Sequence, residues 1–307
     1  MSQLNSKSSD IIKKVSRELL NCEVGNRIPT IPYFTKKLKV GSGTVDRVLS
    51  SLKSDLVLKL DSRGKMGTFM LERDFAKLWQ AADFGVVIGL LPLPNAREYE
   101  GLATGLTQIF NSNGITFSLN FKNGGRERLN SLLDDRCEFT VLSRSASESA
   151  LGAYPELDLV MEFSSDTYYS DFIRVRSSSS EKDDSQWTIG VDFTSYDHVV
   201  LSDNEFPDND KIKVHYIHIP YLIADGKIDA AVCHNKSVIP FDLVDAIATS
   251  PIQKPLSYEY LKQASSAAIV YKKSRKEIFM LFKEICNKER IEEIQRGVIQ
   301  RTIIPTY

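Results

Sequence analysis

Polar and basic residues cluster at two places where glycine or serine precedes an arginine. One segment, from Asn123 to Arg126, reads Asn-Gly-Gly-Arg, and the other is Ser143-Arg144-Ser145. Glycine lets backbone N–H groups approach a ligand closely, and a guanidinium forms charge-assisted hydrogen bonds with anions. We therefore expect a small anionic ligand here. Together with two polar residues that follow later strands, the candidate ligand-binding residues are Asn123, Gly124, Gly125, Arg126, Ser143, Arg144, Ser145, Asp192 and His234.

Each of these residues also has a plain structural interpretation. Gly124-Gly125 could form only a turn, and Arg144 could pair with a surface carboxylate. Ser145 could cap a helix, and a lone histidine such as His234 at a strand end is more often structural than ligand-binding. The residue types alone leave both interpretations open.

A second set of polar residues, near the start of the chain, has the types and spacing that suit DNA. Ser42, Gly43 and Thr44 begin a predicted helix, and Arg47 follows on its exposed side. Small hydroxyl residues allow close approach to phosphates, and arginine reaches a guanine edge or a phosphate. With the basic residues of a later Gly-rich turn, the candidate DNA-binding residues are Thr30, Ser42, Gly43, Thr44, Arg47, Arg63 and Lys65.

Hydrophobic periodicity predicts the elements that position these DNA-binding residues. A helix is predicted from Ser9 to Leu20, and a short one carries Phe34 and Leu38 one turn apart. Apolar residues then recur at i, i+3, i+4 and i+7 from Val45 to Leu52, with Ser42 as the expected cap. The pattern is typical of a helix-turn-helix.

A basic hairpin is predicted directly after these helices. The turn Ser62–Gly67 separates the apolar runs Val57–Leu60 and Thr68–Leu71. A hairpin in that position is typical of a winged helix, with Arg63 and Lys65 at its tip.

The pattern changes at residue 84, where strands and helices begin to alternate. Gly85–Leu91 is a continuous apolar run, typical of a strand buried on both faces in a parallel sheet. Helix and strand patterns then alternate to the end of the chain, with one strand predicted at residues 214–219, which predicts an α/β fold. The segment from Leu132 to Val141 parallels that from Leu222 to Val232, each a helix end, a tight turn and a buried strand. The repeat predicts two similar lobes.

Catalytic and metal-binding motifs are absent from the sequence. It contains no GxSxG, HExxH, P-loop or GxGxxG motif. The four cysteines are far apart and form no CxxC pair, so we expect reduced thiols. We expect no enzyme activity, no metal and no cofactor.

Charge is divided unevenly along the 307 residues. Residues 1–80 contain 15 Lys and Arg against 8 Asp and Glu, and the remainder contains 24 against 32. A basic head on an acidic body suits a protein that binds DNA through its first domain. The first ten residues are polar and no apolar run reaches about 18 residues, so we expect a cytoplasmic protein without membrane contact.

These features resemble a known family of bacterial regulators. Gly25, Ile28-Pro29, the run Val40–Val45 and the run Gly64–Phe69 are similar to the winged helix of GntR-type regulators. The whole chain resembles regulators of the YhfZ type, in which a winged helix is joined to a ligand-sensing domain. The two lobes resemble the type II periplasmic-binding-protein fold.

The resemblance implies a transcription regulator with an N-terminal winged helix-turn-helix followed by a two-lobed type II periplasmic-binding-protein-like domain, of α/β class. We expect the winged helix in residues 1–72, a linker helix in 73–83 and the sensing domain in 84–307, with its second lobe at about 170–236. Its partners would be a double-stranded DNA operator, a small-molecule effector and a second copy in a homodimer. Two alternatives remain: an enzyme on the same two-lobed fold with a vestigial winged helix, and a constitutive DNA-binding protein without an effector.

Overall fold

The computed structural model describes residues 2–234 and 239–307, with side chains from residue 9 onward. The predicted end of the second lobe, residue 236, therefore lies outside the described residues. The chain folds as two compact units. The first contains residues up to Val87 together with Phe110–Thr116 and Phe279–Ile285, and the second contains Ile88–Ile109, Phe117–Ile278 and the residues from Cys286 onward.

The first unit begins with three helices and a two-stranded antiparallel hairpin. In chain order its elements are α1 (Ser2–Leu20), α2 (Ile31–Leu38), α3 (Ser42–Ser54), β1 (Leu58–Ser62), β2 (Thr68–Arg73) and α4 (Phe75–Ala82). Leu19, Phe34, Val45 and Met70 are fully buried and tie the helices to the hairpin. The predicted winged helix-turn-helix is confirmed.

Helix α4 follows the hairpin and packs inside the first unit. Asp74 caps it by accepting a hydrogen bond from the Lys77 N–H at 3.0 Å. Its apolar side, with Leu78 and Trp79, is buried. The Arg17 guanidinium donates to the Ala82 carbonyl at 2.8 Å, so the end of α4 is bound to α1.

Strands and helices alternate through the rest of the chain. They are β3 (Val87–Leu91), α5 (Arg97–Ser112), β4 (Phe117–Phe121), α6 (Gly125–Leu133), β5 (Phe139–Ser143), α7 (Arg144–Ala153), β6 (Leu157–Glu162), β7 (Ile173–Ser177), β8 (Ile189–Val191), α8 (Tyr196–Glu205), β9 (Lys211–Lys213), α9 (Ile219–Ala224), β10 (Ala230–Cys233), β11 (Ile247–Pro251), α10 (Pro255–Ala264), β12 (Ala267–Lys272), α11 (Lys276–Ile285) and α12 (Lys288–Ile299).

The strands form two five-stranded sheets of the same topology. The first lobe has the order β4-β3-β5-β12-β6, and the second lobe has the order β9-β8-β10-β7-β11. In each sheet a strand from elsewhere in the chain, β12 or β7, runs antiparallel to both of its neighbours. The two strands of the internal repeat, β5 and β10, hold the central position of their sheets, so the predicted pair of α/β lobes is confirmed.

One predicted strand of the second lobe is wrong, and the lobe extends further than expected. The segment 214–219 was predicted as a strand, but the strand is β9, which ends at Lys213, and a 3-10 turn Tyr216–His218 leads into α9. Pro220 stands in the first turn of α9, where its fixed φ favours a helix start. Val214 and Tyr216 pack against the core from an irregular segment, which explains the misleading apolar pattern. The sheet ends with β11 at Pro251, beyond residue 236.

Candidate functional site

The helix-turn-helix presents most of its predicted DNA-binding residues to solvent. Thr30 caps α2 by accepting from the Tyr33 N–H at 3.3 Å, and Lys39 ends α2 with a left-handed φ of 54°. The predicted cap of α3 is wrong: Gly41 is the capping residue and Ser42 is the first residue of the helix. The Gly41 carbonyl accepts from the Thr44 N–H at 3.0 Å, and the helix starts without a side-chain cap because glycine has no side chain.

Helix α3 and the hairpin tip place three basic side chains at the surface. Arg47 is exposed and, among the described contacts, donates only to the Gly43 carbonyl of its own helix, at 3.2 Å. Arg63 and Lys65 are exposed at the hairpin tip. Arg63 pairs with Asp61 at 2.7 Å and lies 4.5 Å from the Phe69 ring centroid, so its charge is partly neutralised. Arg47 is therefore the better candidate for a direct base contact.

A cavity of about 60 Å³ lies between the two lobes of the second unit. A water needs about 10–15 Å³ of such space, so the cavity holds about four to six water-sized groups. Both lobes contribute polar and aromatic residues to its wall, among them Tyr99, Asn123, Gly124, Gly125, Arg128, Tyr168, Tyr169, Asp192, Asp197, Tyr216 and His234.

Arg128, on α6, is the cationic residue in that wall. It is only 3% exposed. Its guanidinium donates to the Val141 carbonyl at 3.2 Å, the Lys122 carbonyl at 2.9 Å and the Tyr168 hydroxyl at 2.7 Å. Within the described ranges no carboxylate oxygen lies within 4 Å of it. A guanidinium has five N–H donors, so two have no partner among the described contacts.

Asp197, at the start of α8, receives hydroxyl donors from three other elements. Ser143 donates at 2.8 Å, Tyr260 at 2.6 Å and Tyr169 at 3.0 Å. Burial raises the pKa of Asp197, and the hydrogen bonds from these hydroxyls oppose that shift. Since Ser143 belongs to the first lobe and Asp197 to the second, this cluster also holds the lobes together.

The carboxylate of Asp192, directly after β8, accepts hydrogen bonds from several protein groups. Thr194 donates to it through its N–H at 2.9 Å and its hydroxyl at 2.5 Å, and the Tyr216 N–H donates at 3.1 Å. The side-chain amide of Asn123, from the first lobe, donates at 2.9 Å. Burial alone would raise the pKa of Asp192, but these donors lower it below its ordinary value. In the described part of the cavity, the donors that still lack an acceptor are therefore those of Arg128.

His234 has a neutral ring, and its backbone N–H makes a structural contact. Burial lowers the pKa of its ring to about 4, although the nearby Glu98 opposes the shift. The backbone N–H of His234 donates to the Tyr216 hydroxyl at 2.6 Å, and its ring packs against Tyr169. It lines the cavity without adding positive charge at neutral pH.

The structure brings together only part of the predicted ligand-binding set. Five of its members line the cavity, namely Asn123, Gly124, Gly125, Asp192 and His234. Ser143 reaches the site through Asp197, and it, rather than Ser145, caps α7 by accepting from the Ala146 N–H at 3.1 Å. Arg126 is exposed and outside the wall. Arg144 is also exposed and pairs with Glu148 at 2.8 Å and Glu162 at 3.4 Å, the surface pairing that the sequence left open.

Sequence reasoning missed Arg128 and Asp197, two ionisable residues that line the cavity. Arg128 lies three residues after Gly125 and four before Leu132, on the buried side of α6. A charged residue in the i, i+3, i+4, i+7 row of an apolar helix face was the available signal. Asp197 has no such signal, because its partners come from distant segments.

Gly124 lets the lobes approach each other, and its replacement tests that contact. Its φ is +78°, and a Cβ there would lie 2.7 Å from Thr194 Cβ. We expect Gly124→Ala to weaken ligand binding at least tenfold and to destabilise the second unit by about 1–3 kcal/mol. Gly226→Ala is the matched control, because Gly226 has a φ of +67° with nothing within 4 Å. Calorimetry measures ligand affinity and urea unfolding measures stability. Equal losses in Gly124→Ala and Gly226→Ala would show that backbone strain alone causes them.

Metal and membrane features are not found in the described part of the chain. Among residues 2–234 and 239–307, no group of three or more His, Cys, Asp or Glu is arranged to hold a metal ion. The helices within those ranges are too short or too polar to span a membrane.

Two known protein families match parts of this chain. Residues 74–307 match the family described as the YhfZ C-terminal domain. The chain belongs to the YhfZ family. Residues 23–70 match a helix-turn-helix domain, in agreement with α2, α3 and the hairpin. The YhfZ protein of Escherichia coli K12 is 26% identical over 306 residues, which cover 98% of each chain.

Solved structures of a YhfZ protein and of two periplasmic proteins resemble the fold of this chain. The crystal structure of YhfZ from Shigella flexneri has 24% identity and a TM-score of 0.60, and the match covers 76% of this chain and 97% of that one. The periplasmic aliphatic sulphonate binding protein SsuA of Escherichia coli has 13% identity and a TM-score of 0.51, over 71% of this chain and 75% of its own. A periplasmic domain of Bordetella pertussis BvgS has the same identity and score, over 72% and 96%. At these identities the likeness concerns the fold alone.

Proposed function

We propose that this protein is a DNA-binding transcription regulator whose second unit senses a small anionic molecule. The helix-turn-helix match and the effector-like fold support the regulator. Arg128 carries the sensing part of the proposal. It is a buried guanidinium that lines a cavity, has two N–H donors without a partner among the described contacts, and has no carboxylate oxygen within 4 Å in the described structure. Its charge also opposes the rise in the pKa of Asp197, which lines the same cavity. A buried charge of this kind is unfavourable unless a partner of opposite charge binds it.

The two carboxylates of the cavity do not change this conclusion. Asp192 and Asp197 each accept hydrogen bonds from three protein residues. A ligand cation would have to displace those donors, whereas an anion only needs the N–H groups that Arg128 has left. An anionic ligand therefore satisfies the site with the smallest rearrangement.

The contacts between the lobes favour sensing over the two alternatives. A constitutive DNA-binding protein would be expected to have a closed and apolar lobe interface, but this interface is polar and encloses a cavity. An enzyme needs an acid–base pair free to act on a substrate. His198 has both ring nitrogens engaged, with the Asp192 N–H and the Val232 carbonyl, which supports binding rather than catalysis.

On DNA, we infer that two copies bind a palindromic operator with α3 of each in the major groove. The positive charge of residues 1–80 favours association with the phosphates. Arg47 then reaches a base edge or a phosphate, while Arg63 and Lys65 at the hairpin tip meet the backbone or the minor groove.

Arg47→Ala tests the DNA-binding part. If Arg47 forms a bidentate contact with guanine, its loss should cost about 1–3 kcal/mol, or about 5- to 150-fold in affinity, and relax specificity at one base. DNA selected from a random pool by the wild-type protein serves as the probe, measured by gel shift at fixed salt. Lys59→Ala is the control, since Lys59 is exposed on the hairpin but paired with Glu72 at 2.6 Å. Wild-type affinity and specificity in Arg47→Ala would rule out α3 as the recognition helix.

Native mass spectrometry of the purified protein tests the sensing part. We expect a retained molecule with an anionic group at neutral pH. A retained cation without such a group would contradict the proposal.

A further inference from the structure

A second cavity, of about 270 Å³, opens in the first lobe between α6 and α7. We call it the outer groove. Its wall combines the apolar or aromatic residues Leu129, Leu142, Ala146, Ala150, Ala153 and Tyr196 with the polar residues Arg126, Asn130 and Ser149. Leu129, Leu142, Ala146 and Ala150 are also members of the hydrophobic cluster of the first lobe.

The outer groove adjoins the cavity at Arg128. Gly125, Leu142, Ala146 and Tyr196 line both spaces. Tyr196 comes from α8 of the second lobe, is half-buried and packs against the cluster of the first lobe. It therefore stands at the junction between the two spaces.

The two adjoining spaces differ in size and in the side chains that they present. The inner one holds Arg128 and has room for only about four to six water-sized groups. The outer one is larger and presents small alanine side chains on α7. Ligand pockets usually have volumes of about 300–1,000 Å³, and the two spaces together reach the lower end of that range.

We propose that the ligand is an anion with a short apolar tail. Its charged head binds the two free N–H groups of Arg128, and its tail passes Tyr196 into the outer groove. This inference rests on the proposed function, because the head is the anion that Arg128 binds. It adds the chemical class of the tail and the residues that contact it.

Calorimetry with two series of straight-chain anions tests the tail site. The carboxylates from acetate to hexanoate and the matching alkanesulfonates differ in head geometry but share the growing chain. Burying one methylene contributes about 0.8 kcal/mol, so affinity should rise up to about fourfold with each added carbon. The rise should appear in the series whose head fits Arg128, and Arg128→Met should abolish binding of all its members.

Ala153→Trp provides the decisive variant. Ala153 is exposed at the end of α7 and lines the outer groove, so an indole there fills the groove without entering the core. We expect the dependence on chain length to disappear while acetate or methanesulfonate still binds. Gly152→Trp is the matched control, since Gly152 is the preceding exposed residue, is not part of the wall and has nothing within 4 Å.

The outcomes separate this inference from the proposed function. Binding that requires Arg128 but is independent of chain length would overturn the tail site and leave the anion site intact. A rise with chain length that survives in Ala153→Trp would also overturn the tail site. A change of oligomeric state in Ala153→Trp, with chain-length dependence unaltered, would assign the groove to a second copy of this chain. Binding in neither series would overturn the tail site, whereas the anion site is decided by the molecule that native mass spectrometry recovers.

Discussion

Arg128→Met should weaken binding of the small anion at least a hundredfold. Arg128 has two N–H donors left after its contacts with the Lys122 and Val141 carbonyls and the Tyr168 hydroxyl. A hydrogen bond to a charged group contributes about 1.5–3 kcal/mol, so losing two removes about 3–6 kcal/mol. Methionine has a similar length and fits the buried side of α6 without the charge. Calorimetry with the anion recovered from the wild-type protein measures the loss.

Arg144→Met is the matched control for that variant. Arg144 is exposed, pairs with Glu148 and Glu162, and lies outside the cavity wall. We expect its anion affinity within about twofold of the wild type. If instead Arg144→Met loses binding and Arg128→Met keeps it, the anion site lies at the start of α7 rather than on α6.

Asp197→Ala should produce the largest loss of stability among single substitutions at the site. It removes the acceptor shared by Ser143, Tyr169 and Tyr260, all donating from buried or partly buried positions. Each hydroxyl left without an acceptor costs about 1–3 kcal/mol, partly offset because the buried carboxylate no longer has to be desolvated. We expect the free energy of unfolding to fall by about 2–4 kcal/mol. Urea unfolding followed by circular dichroism measures it.

An exposed aspartate controls for the loss of a carboxylate in general. Asp225 has an exposed side chain that pairs only with Lys227, at 3.0 Å, among the described contacts. Asp225→Ala should change the free energy of unfolding by less than about 0.5 kcal/mol. Similar losses in the two variants would show that the hydroxyl cluster around Asp197 does not hold the lobes together.

The winged helix was predictable because its signals are local. Turn chemistry placed the hairpin, and the apolar spacing from Val45 to Leu52 placed α3. Each of these patterns depends on contacts within a few residues. The internal repeat similarly predicted the two lobes, because it reflects the same topology built twice.

Three elements of the second unit escaped prediction because little apolar surface marks them. Helix α7 buries mainly small residues, Ser145, Ala146, Ser147 and Ala150. Strand β11 is at the edge of its sheet and buries only its first residue. Helix α10 buries only Ser257 and Ala264. Periodicity of large apolar residues cannot detect such elements.

The position of the cavity was predictable, but its arginine, Arg128, was not. Gly124 and Gly125 marked the start of α6, and Asp192 and His234 marked strand ends of the second lobe. Arg126 and Arg144 were preferred because they are adjacent to those turns. The direction of side chains along a helix instead brings Arg128 to the cavity. Arg128 lies three residues after Gly125, on the buried side of α6.

The most direct test of the central claim is whether the ligand of the cavity controls DNA binding. DNA selected by the wild-type protein is titrated at fixed salt, with and without the recovered anion, using wild type and Arg128→Met. Coupling between two sites typically amounts to about 1–3 kcal/mol, so the anion should change wild-type DNA affinity by about 5- to 150-fold. Arg128→Met should bind DNA like the unliganded wild type and show no response. A wild type that does not respond, or an Arg128→Met that responds equally, would contradict the account.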